Sequence, residues 1–91
     1  METMRALVYD RPSVCSVRDV PMPVCGEDEV VIKVMAASIC KGADRRHHTT
    51  GHKLGRYPIT TGHEFAGYIY QVGSAVTGWN VGDRVTADNA V

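Results

Sequence analysis

Three residues of this chain could form a metal site: Cys40, His63 and Glu64. A thiolate and an imidazole are good zinc ligands, and a catalytic zinc needs only three protein ligands and one open position. Cys40 follows one apolar, β-prone segment and His63 precedes another, which predicts that both lie where strands meet loops. Gly62 would let the backbone turn tightly and point the imidazole inward. Spacing alone also fits a buried cysteine and a hydrogen-bonded histidine without metal.

Short strands are the elements that would hold these residues, since apolar runs alternate with turn residues and helical periodicity is almost absent. The predicted strands are Arg5–Tyr9, Val14–Val20, Val30–Ala37, Phe65–Val72 and, after a tight turn, a last strand within Val81–Ala87. Val14–Val20 is expected at a sheet edge. Val30–Ala37, apolar on both faces except at Lys33, is expected at the centre. Gly67 predicts a bulge or a close approach of backbone. The pattern predicts a mainly β fold, a small twisted barrel or sandwich.

One long segment, Ser38–Thr61, breaks the strand pattern and is rich in glycine, histidine and basic residues. Structureless connections of this length in compact domains are usually functional or disordered. Its basic part, from Lys41 to Arg56, has two interpretations. It is either a solvated rim of the active site or a site that attracts an anionic substrate, such as a sugar-alcohol phosphate.

The composition excludes several functional classes. Ten basic and ten acidic residues cancel, and no aromatic array accompanies the histidines, so nucleic-acid binding is not expected. No apolar run approaches the roughly 18 residues that span a bilayer, so a membrane role is not expected either. Three cysteines without a disulfide-framework spacing favour free thiols and a cytoplasmic location.

The order and spacing of several motifs resemble the zinc-dependent medium-chain alcohol and polyol dehydrogenases. The matching motifs are Gly62-His63-Glu64-Phe65-Ala66-Gly67, Val72-Gly73, Val81-Gly82-Asp83-Arg84-Val85, and upstream Met4-Arg5-Ala6-Leu7-Val8, Pro21-Met22-Pro23 and Glu29–Val34 leading to Ser38-Ile39-Cys40. The resemblance extends from about Met4 to Val91. It implies that residues 1–91 form part of a GroES-like catalytic domain, a small twisted β-barrel with one long active-site loop.

The resemblance also implies the roles of individual residues. Cys40 and His63 look like two of three catalytic zinc ligands, and Glu64 looks like the carboxylate that lies beside the metal. Asp44 is similar to the aspartate that accepts a hydrogen bond from the ligating histidine. The implied reaction is oxidation of a small-molecule secondary alcohol or polyol, with zinc as Lewis acid and NAD or NADP as hydride acceptor. The sugar-alcohol branch of the family is the most similar.

Two differences from the family pattern bear on activity. The chain reads Cys40-Lys41-Gly42-Ala43-Asp44, with one extra residue and with alanine where the family has the hydroxyl that begins its proton relay. His47 or His48 could then serve as the general base, because neutral imidazole suits that role.

The second difference is length. The family's third zinc ligand is expected beyond residue 91, and nothing in the chain resembles the Gly-x-Gly-x-x-Gly motif of an NAD(P)-binding domain. We therefore expect the isolated chain to be inactive, and a homo-oligomer only for a full-length enzyme.

Two alternatives stay open on sequence grounds. One is a zinc-free relative of the quinone-reductase type, which Cys40 and Gly62-His63-Glu64 argue against, because such enzymes typically lack these ligands. The other is a non-enzymatic β module, a truncated or degenerate remnant used for association. A missing nucleotide-binding domain and the altered Cys40–Asp44 spacing favour it.

Overall fold

A computed structural model of the chain describes residues 2–40, 48 and 56–88. Six antiparallel strands are present in these residues, so the prediction of a mainly β fold is confirmed. They form two three-stranded sheets, and in these residues the strand pairing does not close into a barrel. Two compact units divide the chain, residues 1–22 with 39–63 and residues 23–38 with 64–91. Among residues 2–40, 48 and 56–88, no helix has the length and apolar character needed to cross a bilayer.

The first unit contains the sheet β2-β1-β4. Strand β1 (Thr3–Arg11) pairs with β2 (Val14–Pro21) as a hairpin and with the two-residue β4 (Ile59–Thr60) on its other side. The expected edge position of β2 is therefore confirmed. Val8 and Tyr9 are the buried hydrophobic residues in the described part of this unit. Arg18 and Asp10 form an exposed ion pair at 2.8 Å across the hairpin.

The second unit contains the sheet β3-β5-β6, formed by β3 (Val30–Ser38), β5 (Glu64–Val72) and β6 (Arg84–Thr86). Among the described strands β5 is central and β3 lies at the edge, so the prediction of a central Val30–Ala37 strand is wrong for this part of the chain. Residues 33–38 of β3 are exposed, including alternate positions that lie on opposite faces. A two-sided apolar run therefore does not identify a central strand here. Ile69 of β5, at 1% exposure, is the most buried side chain of the unit.

A cavity of about 470 Å³ opens beside this core and is lined by apolar side chains that include Ile32, Ile69, Trp79 and Val85. Trp79 remains 54% exposed. The described core is thus small, and few side chains protect the sheet from unfolding.

Gly67 of β5 lies close to the backbone of β3. The pairing shifts register between Val34 and Ala36, so Met35 is the extra residue of a bulge in β3 opposite Gly67 and Ala66. A Cβ atom on Gly67 would overlap the carbonyl oxygen of Lys33. The predicted close backbone approach at this glycine is confirmed, and the bulge beside it lies in the partner strand β3.

The segment Val81-Gly82-Asp83-Arg84-Val85 forms a turn that leads into β6. Gly82 has φ +94°, a conformation that side chains with Cβ rarely adopt. The Asp83 carboxylate accepts a hydrogen bond from the Asn80 amide at 2.9 Å, and the Ile69 carbonyl accepts one from the Gly82 amide at 2.8 Å. These contacts explain the motif as a structural element.

Candidate metal site

Strand pairing determines where the candidate ligands lie. Ser38, the last residue of β3, pairs with Glu64, the first residue of β5. Because the strands are antiparallel, the chain leaving β3 and the chain entering β5 meet at the same end of the ladder. Cys40 lies two residues after that pair and His63 one residue before it. Residues that are distant in sequence therefore converge.

The ligand atoms of Cys40, His63 and Glu64 lie within 4.8 Å of one another. All three residues are partly buried, which limits the water that competes for a metal while leaving access from solvent. Cys40 does not form a disulfide in the structure. Among the described residues, this is the group of His, Cys, Asp and Glu side chains that could hold an ion.

The chemistry of the three donors fits zinc. Sulfur, nitrogen and carboxylate oxygen bind zinc at about 2.0–2.3 Å, so two ligands of one tetrahedral ion lie roughly 3.3–3.8 Å apart. Small side-chain rotations would bring atoms within 4.8 Å to that spacing. Soft thiolate combined with imidazole also selects zinc over magnesium or calcium, which prefer oxygen ligands.

Of the other predicted site residues, Asp44 and His47 lie outside the described residues. His48 is described, and its printed contacts are with the first hairpin. Its Nδ1 lies 3.0 Å from the hydroxyl of Tyr9, and its carbonyl accepts a hydrogen bond from the Ser13 hydroxyl at 2.7 Å. The two rings meet edge to face at 5.9 Å. His48 is not part of the converging ligand group, so its role as general base stays a prediction.

Sequence reasoning missed one residue at this site, Ser38. Its hydroxyl donates a hydrogen bond to Oε1 of Glu64 at 2.8 Å. The signal that identifies it is the pairing of Ser38 with Glu64. The strand patterns alone do not fix this pairing, because apolar content does not report which residues of two strands lie opposite each other.

Gly62 has φ +108°, and a Cβ atom there would meet nothing within 4 Å. The requirement for glycine is thus conformational. Replacing Gly62 with alanine should strain the backbone by roughly 1–2 kcal/mol. We expect relaxation of this strain to displace His63 and to weaken zinc binding about tenfold, the equivalent of 1.4 kcal/mol, as measured by calorimetry.

Gly78→Ala is the matched control for this prediction, because Gly78 also has positive φ (+83°) and open space around its Cβ position. It should carry a similar backbone penalty and leave zinc affinity unchanged. Equal zinc affinity in wild type and Gly62→Ala would contradict the role assigned to Gly62.

Comparison with known proteins identifies the family to which the chain is similar. The family "alcohol dehydrogenase GroES-like domain" matches residues 26–90. An uncharacterized zinc-type alcohol dehydrogenase-like protein of Escherichia coli K12 is 49% identical over 72 residues, which are 79% of this chain and 20% of that protein. Sorbitol dehydrogenase of Bacillus subtilis 168 is 40% identical over 94 residues, covering 99% of this chain and 26% of that enzyme.

L-threonine 3-dehydrogenase of Symbiobacterium thermophilum is similar to the same degree, 42% identical over 94 residues that cover 99% of this chain and 26% of that enzyme. Among solved structures, a protein of Sinorhizobium meliloti 1021 provisionally described as a zinc-binding dehydrogenase, bound to NADP, superimposes with a TM-score of 0.87 at 36% identity. The match covers 97% of this chain and 25% of that one. The chain spans about a quarter or less of the relatives it matches. Its matched residues and fold show that it belongs to the GroES-like domain family of zinc-type medium-chain alcohol dehydrogenases.

Proposed function

We propose that this chain contributes the zinc-binding part of an NAD(P)-linked dehydrogenase that oxidises a secondary alcohol or polyol. The observation that carries the proposal is the convergence of Cys40, His63 and Glu64 within 4.8 Å. Sorbitol dehydrogenase among the relatives supports a polyol substrate, while L-threonine 3-dehydrogenase at similar identity makes a secondary alcohol of another kind the alternative.

Cys40 and His63 would hold the zinc, and Glu64 would lie beside it. When bound, zinc supplies a Lewis acid that polarises the oxygen of an alcohol or carbonyl group. The chain's own residues would bind the metal and orient its ligands. Gly62 aims His63, and the β3–β5 pairing places Cys40 at the same end of the ladder. Asp44 is proposed to hold His63 in one tautomer, and His47 or His48 to accept the proton of the alcohol.

The ligand set also weighs against the zinc-free alternative. A quinone-reductase-like enzyme has no use for a thiol and an imidazole brought together with a carboxylate. The non-enzymatic β module remains the outcome to expect if the chain cannot support turnover in any longer protein.

A chimeric enzyme tests the proposal. This chain would replace the matching segment of Bacillus subtilis sorbitol dehydrogenase, with which it shares 40% identity over 94 residues. We expect zinc-dependent reduction of NAD⁺ in the presence of a polyol, and loss of turnover in Cys40→Ser because a metal ligand is gone. Cys15→Ser is the matched control, since Cys15 is an exposed cysteine outside the ligand group.

A folded, zinc-loaded chimera that oxidises no polyol, L-threonine or simple secondary alcohol would contradict the proposal. The same protein decides between the two interpretations of the basic segment Lys41–Arg56. A lower KM for phosphorylated than for plain polyols would favour an anionic substrate, and equal values would favour a solvated rim.

A further inference from the structure

Ser38 lies directly opposite Glu64 at the end of the β3–β5 ladder. In an antiparallel pair, side chains of opposed residues lie on the same face with Cβ atoms about 4.5–5.5 Å apart. The Ser38 hydroxyl is therefore near the carboxylate, and it donates a hydrogen bond to Glu64 Oε1 at 2.8 Å. The backbone pairing therefore sets the position of the hydroxyl relative to the carboxylate.

Glu64 is also one of the three residues whose ligand atoms converge. A glutamate side chain has three rotatable bonds, and holding it in one orientation costs conformational entropy. A hydrogen bond to an ionised carboxylate is stronger than one between neutral groups, so it can offset part of this cost. Ser38 thus contacts Glu64, whose side chain is the longest and most flexible of the three converging residues.

We infer that Ser38 is a positioning residue for the metal site: its hydroxyl holds the Glu64 carboxylate beside Cys40 and His63, so that the carboxylate contributes to metal binding. This inference rests on the proposed zinc site and adds to it a residue that touches no metal. Partners that orient metal ligands typically change metal affinity about 10–100-fold when they are removed. Because the Ser38–Glu64 bond is exposed, we expect an effect at the lower end of that range.

Zinc titration of the 91-residue chain by calorimetry tests the inference. Ser38→Ala should bind zinc about tenfold more weakly than wild type. Ser38→Thr keeps the hydroxyl and the strand preference of the position, and should restore affinity. Thr86→Val is the matched control, because the Thr86 hydroxyl donates to the Phe65 carbonyl of the same strand β5 at 2.7 Å. Its removal should leave zinc affinity unchanged.

Cobalt substitution gives a second readout that general loosening of the sheet would not reproduce. The visible absorption of bound Co²⁺ depends on which atoms surround it, so its spectrum should shift in Ser38→Ala and stay unchanged in Thr86→Val. Far-ultraviolet circular dichroism verifies that each variant keeps its β structure.

The outcomes separate the inference from the proposed function. If wild type binds zinc through Cys40 and His63, but Ser38→Ala binds it as tightly or more tightly, the inference about Ser38 is overturned and the zinc site stands. Equal weakening by Thr86→Val overturns the inference in the same way. If wild type binds no zinc, or binds it independently of Cys40, both the zinc site and the role of Ser38 are overturned.

Discussion

Cys40→Ser should weaken zinc binding by the 91-residue chain about 100-fold. Sites with four protein ligands gain about 10–16 kcal/mol on binding zinc, which is roughly 3 kcal/mol per ligand and about two decades in affinity. A serine hydroxyl does not replace the thiolate, because it stays protonated near neutral pH and is a poor ligand for a soft metal. Isothermal titration calorimetry at neutral pH, with stoichiometry as well as affinity, measures the effect.

The chain provides its own controls for this experiment. Cys15 is exposed, lies in β2 and is absent from the ligand group, so Cys15→Ser should titrate like wild type. His63→Ala should match the loss in Cys40→Ser, because it removes the other principal ligand. His48 contacts Tyr9 and Ser13, so His48→Ala should retain zinc. Indifference to Cys40, or equal loss in Cys15→Ser, would mean that zinc binds elsewhere.

The strands were predictable where turn chemistry and apolar content agree. Strand β5 begins one residue before the predicted start, at Glu64, and ends at the predicted Val72. Gly67 was predictable for a different reason. A glycine inside an apolar strand lacks the side chain that would pack there, which indicates a bulge or a nearby backbone, and the structure has both.

Strand order was harder to predict, because apolar content does not report pairing. Val30–Ala37 resembles a central strand, yet β5 occupies the centre and pairs on both sides. The short strand β4, Ile59–Thr60, lies in the segment that was predicted as a loop. The sequence does not indicate this strand, because two residues cannot display an alternating pattern. It forms because β1 offers hydrogen-bonding groups at Val8 and Tyr9, a tertiary effect.

The candidate site was predictable in its members and not in its geometry. Spacing alone left Cys40 and His63 open to explanations without metal, and the family resemblance indicated their roles. Their convergence with Glu64 follows from the register of β3 and β5. That register contains two irregularities that shift the pairs by one position in opposite directions, so Ser38 and Glu64 pair in the same register as Val30 and Val72. The Ser38–Glu64 hydrogen bond depends on the same register, which is why it appears only in the structure.

Gly67→Ala should strongly destabilise the sheet that β5 forms with β3 and β6. The new Cβ would overlap the Lys33 carbonyl oxygen and lie 3.1 Å from the Val34 Cα. These are backbone atoms, so no side-chain rotation relieves the overlap, and the ladder itself must move. Overpacking costs about 1–3 kcal/mol, and rigid neighbours place this case near 3 kcal/mol.

This loss is large relative to the whole stability. A chain of this size is stabilised by roughly 5–13 kcal/mol, and the few buried side chains of the described core, with Ile69 alone fully enclosed, place it near the lower end. Urea denaturation followed by far-ultraviolet circular dichroism should show a marked fall in the unfolding midpoint. Amide exchange in β5 should accelerate about 100-fold, the equivalent of 3 kcal/mol, where exchange occurs by unfolding of this sheet.

Gly78→Ala is the control that separates steric overlap from backbone strain, since its Cβ would enter open space at φ +83°. It should cost about 1 kcal/mol. If the two substitutions destabilise the chain equally, the backbones of β3 and β5 can move apart at the bulge to accept the methyl group. Glycine would then not be required at position 67.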